Sequence, residues 1–182
     1  MKLFKLLSLL LDYPDDDSLA GLRQAVEEAG SAIALIGTID AQATFSKEEH
    51  ATIGEFIDGL LALDATEIKA RYVQTFDLVG EHSLHLTHHI FGEEKTRGPA
   101  LIDLSEYLKS YGFKHEETEL PDFLPLILEF ISQLDESEAT VFLGDASKVL
   151  KVIAGNLDKA NSPYAKLIHI IDNHGSLIKL AA

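Results

Sequence analysis

Residues 46–76 read SKEEHATIGEFIDGLLALDATEIKARYVQTF and carry two helix starts, each followed by an apolar stripe. Ser46 with Glu49 has the spacing of a capping box, and Asp64 is a second N-cap candidate. The apolar residues behind these caps recur at helical spacing: Ile53, Phe56, Ile57, Leu60, Leu61, then Ile68, Tyr72 and Phe76. This period predicts amphipathic helices, the first of them over about 47–62.

The same period returns along most of the chain. Tyr13-Pro14 ends an amino-terminal leucine stripe, and Pro99 and Gly112 bracket another predicted helix. Further stripes lie in three segments: 124–134, 137–155 and 163–173. No segment alternates apolar and polar residues on both sides of an Asn-Gly or Asp-Gly turn, as a β-hairpin requires. We therefore expect an all-α fold, a single-domain helical bundle that spans residues 1–182.

The composition limits the chemistry and the partners of this chain. Its 182 residues include no cysteine, which excludes disulfides, thiolate metal sites and a cysteine nucleophile. Thirty acidic residues against 15 basic ones give a formal net charge of −15. This charge repels phosphate backbones and anionic lipids, so we expect no nucleic-acid partner, no membrane insertion, and a basic character in any charged partner.

The amino terminus, MKLFKLLSLLLDYPDDD (residues 1–17), has a leucine-rich run that resembles an export signal only superficially. Lys5 interrupts the run, the run is too short to span a bilayer, and Asp-rich sequence follows it. These features favour a buried first helix. We therefore expect a cytoplasmic protein.

Four histidines lie close together in the sequence, namely His82, His85, His88 and His89. If residues 85–91 form a helix, the last three lie close to one face, a spacing that can hold a metal ion. Three interpretations remain open here: a metal site, hydrogen-bonded surface imidazoles, or a ligand-binding surface. Because no H-E-x-x-H pattern is present, we expect no metal.

No catalytic motif is complete in this sequence. It contains no P-loop, no G-x-G-x-x-G and no G-x-S-x-G, and its many carboxylates on predicted helices are more often solvated faces than acid/base pairs. One alternative is a metal-dependent hydrolase with a cluster of His88, His89, Asp77 and Asp103. Another is a generic helical protein-interaction domain.

Residues 72–132 carry several short motifs in a fixed order. They are Tyr72, Thr75-Phe76-Asp77, Ser83-Leu84-His85-Leu86-Thr87, Phe91-Gly92, Arg97-Gly98 and Glu119-Leu120-Pro121-Asp122. This series resembles the NarJ branch of the TorD/DmsD/NarJ family, the dedicated chaperones of molybdenum-cofactor oxidoreductases. The amino-terminal LLSLLLDYPD fits the same pattern more loosely.

The resemblance implies a TorD-like helical chaperone of the cytoplasm that is not an enzyme and has no cofactor of its own. Such a protein binds the amino-terminal tail of the catalytic subunit of a respiratory nitrate reductase or related molybdoenzyme. It thereby assists molybdenum cofactor insertion and delays docking onto the membrane subunit. Other branches often have a histidine after the aspartate of the last motif, and nucleotide binding has been linked with it. Here Phe123 follows Asp122, so we do not expect this chain to bind a nucleotide.

An acidic helical bundle with exposed aromatic and leucine side chains is suited to bind an amphipathic, basic peptide as a helix in a groove. The expected groove walls are Tyr72, Phe76, Leu86, Phe91 and Tyr107. The carboxylates expected to face peptide cations are Asp77, Asp103 and Asp122. The predicted peptide-binding set also includes His85, His88, His89, Arg97 and Pro121. Core packing is the alternative for each aromatic residue, and a helix cap or exposed charge for each aspartate. We expect a monomer, with a domain-swapped dimer as the alternative.

Overall fold

Helices make up 75% of the residues that the computed structural model describes. These are residues 1–92, 95–114 and 119–176. The α-helices in this part of the chain are α1 (Leu3–Leu11), α2 (Asp16–Ala29), α3 (Ala32–Ile39), α4 (Lys47–Leu61), α5 (Ala65–Tyr72), α6 (Leu86–Phe91), α7 (Arg97–Ser110), α8 (Leu124–Ile131), α9 (Glu136–Lys159) and α10 (Tyr164–Ser176). A π-helical turn (Val73–Asp77) and a 3-10 turn (Gly80–His82) follow α5. No β-strand lies in the described part, and the all-α prediction is confirmed. A single domain over the whole chain stays a prediction.

Both predicted helix caps are present. The backbone N–H of Glu49 donates to the Ser46 hydroxyl at 3.2 Å, and the Ser46 N–H donates to the Glu49 carboxylate at 2.8 Å. At the next helix, the Glu67 N–H donates to the Asp64 carboxylate at 2.9 Å. These bonds satisfy N–H groups that have no partner within the helix, and so fix where α4 and α5 begin.

Two helices, α2 and α3, were not predicted from the apolar pattern. The start of each helix is nevertheless fixed by an N-cap hydrogen bond between residues three positions apart. The Asp15 carboxylate accepts from the Ser18 N–H at 2.7 Å, and the Ser31 hydroxyl accepts from the Ala34 N–H at 3.2 Å. Gly30 separates the helices with a φ of +87°, a left-handed conformation that glycine adopts without a steric penalty.

The core forms around α1, which packs on α8, and around the adjacent pair α9 and α10. The first helix is buried, as predicted. Within the pair, Gly175 approaches Leu143 so closely that a Cβ at Gly175 would lie 2.5 Å from the Leu143 carbonyl carbon. The buried Ser147 hydroxyl donates to the Asp172 carboxylate at 2.6 Å. Backbone contact and this hydrogen bond thus hold α9 and α10 together.

The helix α7 is attached to the rest of the fold at few points. Leu108 is its buried residue, close to its carboxyl end. Just beyond the helix, Phe113 packs on Phe130 with ring centroids 5.4 Å apart. Gly112, the predicted C-cap candidate, has a φ of +74°. Because α7 buries so little of its own surface, an open groove remains between it and α9.

Candidate functional site

The groove between α7 and the first half of α9 has a volume of about 600 Å³, within the range of about 300–1,000 Å³ typical of ligand-binding clefts. The α7 side is lined by Asp103, Leu104, Tyr107 and, just after the helix, Tyr111. The α9 side is lined by Ser137, Glu138, Val141, Phe142 and Asp145. The groove therefore combines apolar and acidic side chains from two helices.

The floor of the groove is aromatic. The Tyr107 ring lies 5.2 Å from the Tyr111 ring and 6.0 Å from the Phe142 ring. Beneath them, the buried Phe130 lies 5.5 Å from Tyr111 and 5.7 Å from Phe142. Tyr107, Tyr111 and Val141 are 41%, 46% and 53% exposed. The groove thus presents an apolar surface that is continuous with the core.

Three carboxylates, those of Asp103, Glu138 and Asp145, stand among the apolar lining residues. The Tyr107 and Tyr111 hydroxyls share a hydrogen bond of 3.4 Å. This hydrogen bond and the Coulombic interaction with Tyr107 favour the neutral phenol of Tyr111 and raise its pKa to about 12. Of the described lining residues, none is Lys or Arg. The rim therefore attracts cations.

Two of the predicted peptide-binding residues, Asp103 and Tyr107, lie together in this groove. Tyr72 and Phe76 lie elsewhere, 4% and 6% exposed, and their rings contact each other at 4.9 Å. The Phe76 ring also lies 4.8 Å from Tyr164. Burial raises the pKa of Tyr72, whose hydroxyl donates to the Leu11 carbonyl at 3.2 Å. In this structure both predicted aromatics pack in the core, and their contact with a peptide stays a prediction.

A second group of predicted residues surrounds Asp122, which is fully buried. Its carboxylate accepts hydrogen bonds from His85 Nδ1 at 3.2 Å, from the Thr87 N–H at 3.0 Å and from the Thr87 hydroxyl. Burial alone would raise the pKa of Asp122, but the hydrogen bonds from His85 and Thr87 outweigh it and lower that pKa below its usual value. Asp122 is therefore an internal anion held by these donors.

Backbone hydrogen bonds join the two segments that meet at Asp122. The Leu86 N–H donates to the Asp122 carbonyl at 3.0 Å, and the Leu124 N–H donates to the Leu84 carbonyl at 2.8 Å. Leu86 and Pro121 are buried here, and Arg97 Nε donates to the Thr87 hydroxyl at 2.9 Å. The predicted residues His85, Leu86, Arg97, Pro121 and Asp122 therefore share one neighbourhood, outside the lining of the groove.

The remaining predicted residues, His88, His89, Phe91 and Asp77, also lie outside the lining of the groove. His89 Nε2 donates to the Ser83 carbonyl at 2.7 Å, and burial lowers the pKa of His89. The His88 ring lies 5.4 Å from it. Phe91 is half-buried and Asp77 is exposed. His85 precedes α6 as its N-cap residue, so only His88 and His89 of the histidine cluster lie within that helix.

Residues 1–92, 95–114 and 119–176 contain neither a cluster of potential metal ligands nor a helix that could span a membrane. No three histidine, aspartate or glutamate side chains there come close enough to hold a metal ion. The set His88, His89, Asp77 and Asp103, on which the hydrolase alternative depends, is therefore not assembled. Across the same residues, no helix is both long and apolar enough to span a membrane.

Most groove residues were missed by the sequence analysis, among them Leu104, Tyr111, Glu138, Val141, Phe142 and Asp145. A local signal exists, because Tyr107 and Tyr111, like Val141 and Asp145, stand four residues apart and so share a helix face. The same spacing occurs on many other faces of this chain. Only the packing of α7 beside α9 distinguishes these two helix faces from the other faces with the same spacing.

Across the described residues the fold is all-α, and an apolar groove with an acidic rim is the kind of surface on which helical proteins bind peptides. The chain belongs to the nitrate reductase delta subunit family, whose profile matches residues 40–169. The resemblance to NarJ-type proteins that the motifs indicated is confirmed.

Two relatives show how far the similarity extends. The chain is 35% identical over 166 residues to the nitrate reductase molybdenum cofactor assembly chaperone NarJ of Escherichia coli (strain K12), covering 91% of this chain and 66% of that protein. It is 31% identical over 172 residues to the probable nitrate reductase molybdenum cofactor assembly chaperone NarJ of Bacillus subtilis (strain 168), covering 92% and 85%. The chain thus spans just under two thirds of the Escherichia coli relative.

Proposed function

We propose that this chain is a non-catalytic assembly chaperone of a nitrate reductase. In this proposal it acts in the cytoplasm, binds the amino-terminal tail of the catalytic subunit, and assists molybdenum cofactor insertion before the enzyme docks at the membrane. The names of the relatives support the role in cofactor assembly. The observation that carries tail binding is the groove between α7 and α9, with its aromatic floor and acidic rim.

The shape and polarity of the groove favour a helical peptide as the ligand. A helix that binds in a groove uses apolar anchors at positions i, i+3 or i+4, and i+7. Here Tyr107, Tyr111 and Val141 offer exposed apolar surface to such anchors. Burying that surface contributes about 25 cal/mol per Å² of apolar area, before the entropic cost of association. Apolar contact is therefore the main source of affinity in this proposal.

The charge of the groove favours a basic ligand. Asp103, Glu138 and Asp145 can pair with lysine or arginine side chains that flank the apolar anchors. The net charge of −15 adds long-range attraction, which falls off over a Debye length of about 8 Å at physiological salt. Charge therefore steers the peptide to the groove, and apolar burial retains it.

A fluorescence titration tests the groove directly. The chain has no tryptophan, so the emission of a single tryptophan placed in a synthetic tail peptide reports only the peptide. We expect Val141→Lys to weaken binding at least about tenfold, because it places a cation where an apolar anchor binds. The matched control is Val152→Lys, on the same helix and similarly exposed (49%) but outside the lining of the groove. Equal affinities of the two variants would show that the groove is not the receptor.

The role in cofactor assembly needs a separate measurement. In cells whose own assembly chaperone has been deleted, the wild-type chain and Val152→Lys should restore the molybdenum content of purified nitrate reductase. Val141→Lys should leave that content low at an equal level of folded chaperone. Normal molybdenum content without any chaperone, or with Val141→Lys, would contradict the proposed function.

A further inference from the structure

Arg97, the first residue of α7, binds inward to two side chains. Its Nε donates to the Thr87 hydroxyl at 2.9 Å, and its Nη2 lies 3.6 Å from Asp122 Oδ2. The Thr87 hydroxyl in turn donates to the same carboxylate oxygen. We call these three residues, Arg97, Thr87 and Asp122, the latch. Because Asp122 is fully buried and Thr87 is 7% exposed, the latch ties α7 to a fixed part of the fold.

The latch and Leu108 hold opposite ends of α7. Leu108 is the buried residue of the helix and lies near its carboxyl end. Between the two attachments lie Asp103, Leu104 and Tyr107, which form one side of the groove. If the attachment at the amino-terminal end of α7 is lost, the helix can pivot about Leu108. The width of the groove then changes most at the end where Asp103 lies.

We propose that Arg97 is a positioning residue whose contacts with Thr87 and Asp122 set the distance between the start of α7 and α9, and so the width of the groove. A guanidinium suits this role because it is planar, and its Nε donates to Thr87 while its charge pairs with Asp122, which a lysine ammonium on a flexible stem does not reproduce. The link to peptide binding rests on the proposed function, whereas the link to groove width does not.

The effect on binding follows from population arithmetic. The apparent dissociation constant equals the intrinsic constant divided by the fraction of molecules whose groove has the binding width. A variant that leaves one tenth of the molecules at that width therefore binds about tenfold more weakly, although no residue of the groove has changed. The affinity falls because fewer molecules of the free protein have a groove of the binding width.

Distances between spin labels measure the groove width without any peptide. The chain has no cysteine, so two introduced cysteines are the only sites that carry labels in this 182-residue chain. One pair, Ile102→Cys with Lys148→Cys, reports the end near the latch, and both positions are exposed. The other pair, Lys109→Cys with Glu136→Cys, reports the end near Leu108 and is exposed as well.

Two variants remove the latch in different ways. Arg97→Gln removes the guanidinium, and Thr87→Val removes the bridging hydroxyl while keeping the shape of the side chain. We expect both to broaden the distance distribution of the pair near the latch and to leave the other pair narrow. Thr87→Ser keeps a hydroxyl and should keep the narrow distribution. Arg23→Gln is the matched control, because Arg23 binds the carbonyls of Leu61 and Leu63.

Binding of the tail peptide provides the second measurement. We expect Arg97→Gln and Thr87→Val to weaken peptide binding about tenfold. Thr87→Ser should keep the wild-type affinity. Unchanged distances in both latch variants, or equal broadening at both ends, would overturn the positioning role. Broadening confined to the latch end would support that role even if Val141→Lys bound the peptide normally, and in that case only the proposed function would fail.

Discussion

Gly175 of α10 packs against Leu143 of α9 with no room for a side chain between them, since a Cβ at Gly175 would lie 2.5 Å from the Leu143 carbonyl carbon. We predict that Gly175→Ala lowers the free energy of unfolding by about 1–3 kcal/mol, because the two helices must separate to accommodate the methyl group. The matched control is Gly155→Ala on α9, where a Cβ meets nothing within 4 Å. That change should raise stability by up to about 1 kcal/mol through helix propensity. Urea denaturation measures both, and equal stability of the two variants would contradict the close contact.

Neutralising the rim of the groove should slow peptide association. We predict that Glu138→Gln with Asp145→Asn lowers the association rate of a basic tail peptide several-fold at about 50 mM salt and much less at about 500 mM, because salt screens the steering field. The control, Glu48→Gln with Asp58→Asn, removes the same charge from exposed positions of α4. Stopped-flow fluorescence separates association from dissociation. Identical rates for both double variants would mean that net charge, and not the rim, steers the peptide.

The stability that Asp122 contributes should depend on pH in the acid range. Its pKa in the folded protein lies below the unfolded value of about 3.9, so its contribution is complete above pH 4 and is lost as the pH falls through the folded pKa. We predict that Asp122→Asn destabilises the protein by about 2–4 kcal/mol at pH 7, because His85 and Arg97 lose their buried anion. The difference from wild type should shrink below about pH 4. Urea denaturation at pH 7 and pH 3.5 checks this, and a constant difference would exclude the linkage.

His174 should make the protein less stable in mildly acidic solution. The residue is buried against the Phe45 ring at 3.9 Å, and burial lowers its pKa. The unfolded chain therefore binds a proton first, and the free energy of unfolding should fall as the pH drops below about 6.5. We predict a smaller decrease between pH 7.5 and 5.5 for His174→Gln than for wild type. Asn173→Gln, an exposed and non-titrating position on the same helix, is the control and should keep the wild-type slope.

The sequence predicted the features of the fold that depend on neighbouring residues. Ser46 and Glu49 are three positions apart, and their hydrogen bonds depend only on the start of one helix. The apolar stripes were equally informative, because a helix has the same period wherever it packs. These local rules account for the all-α prediction.

The site was harder to predict because its contacts join distant parts of the chain. Tyr72 and Phe76 belong to an apolar stripe, and a stripe does not show whether a neighbouring helix or a ligand covers it. Here Tyr164 of α10 contacts them. Asp122 was likewise predicted to face peptide cations, because its donor Thr87 lies 35 positions earlier in the sequence and no local pattern joins the two. Only Asp103 and Tyr107, on the exposed side of α7, were predicted for the groove that the structure contains.

Two backbone hydrogen bonds, from Leu86 N–H to Asp122 and from Leu124 N–H to Leu84, join the two ends of the segment that includes α6 and α7. Within that segment Leu108 and Phe113 are buried, so the segment is attached to the rest of the fold at its base and again at the end of α7. Helix α7 supplies one side of the groove and α9 the other, so substitutions at exposed positions of α7 can change the groove lining while the core contacts of α1 with α8 and of α9 with α10 stay in place.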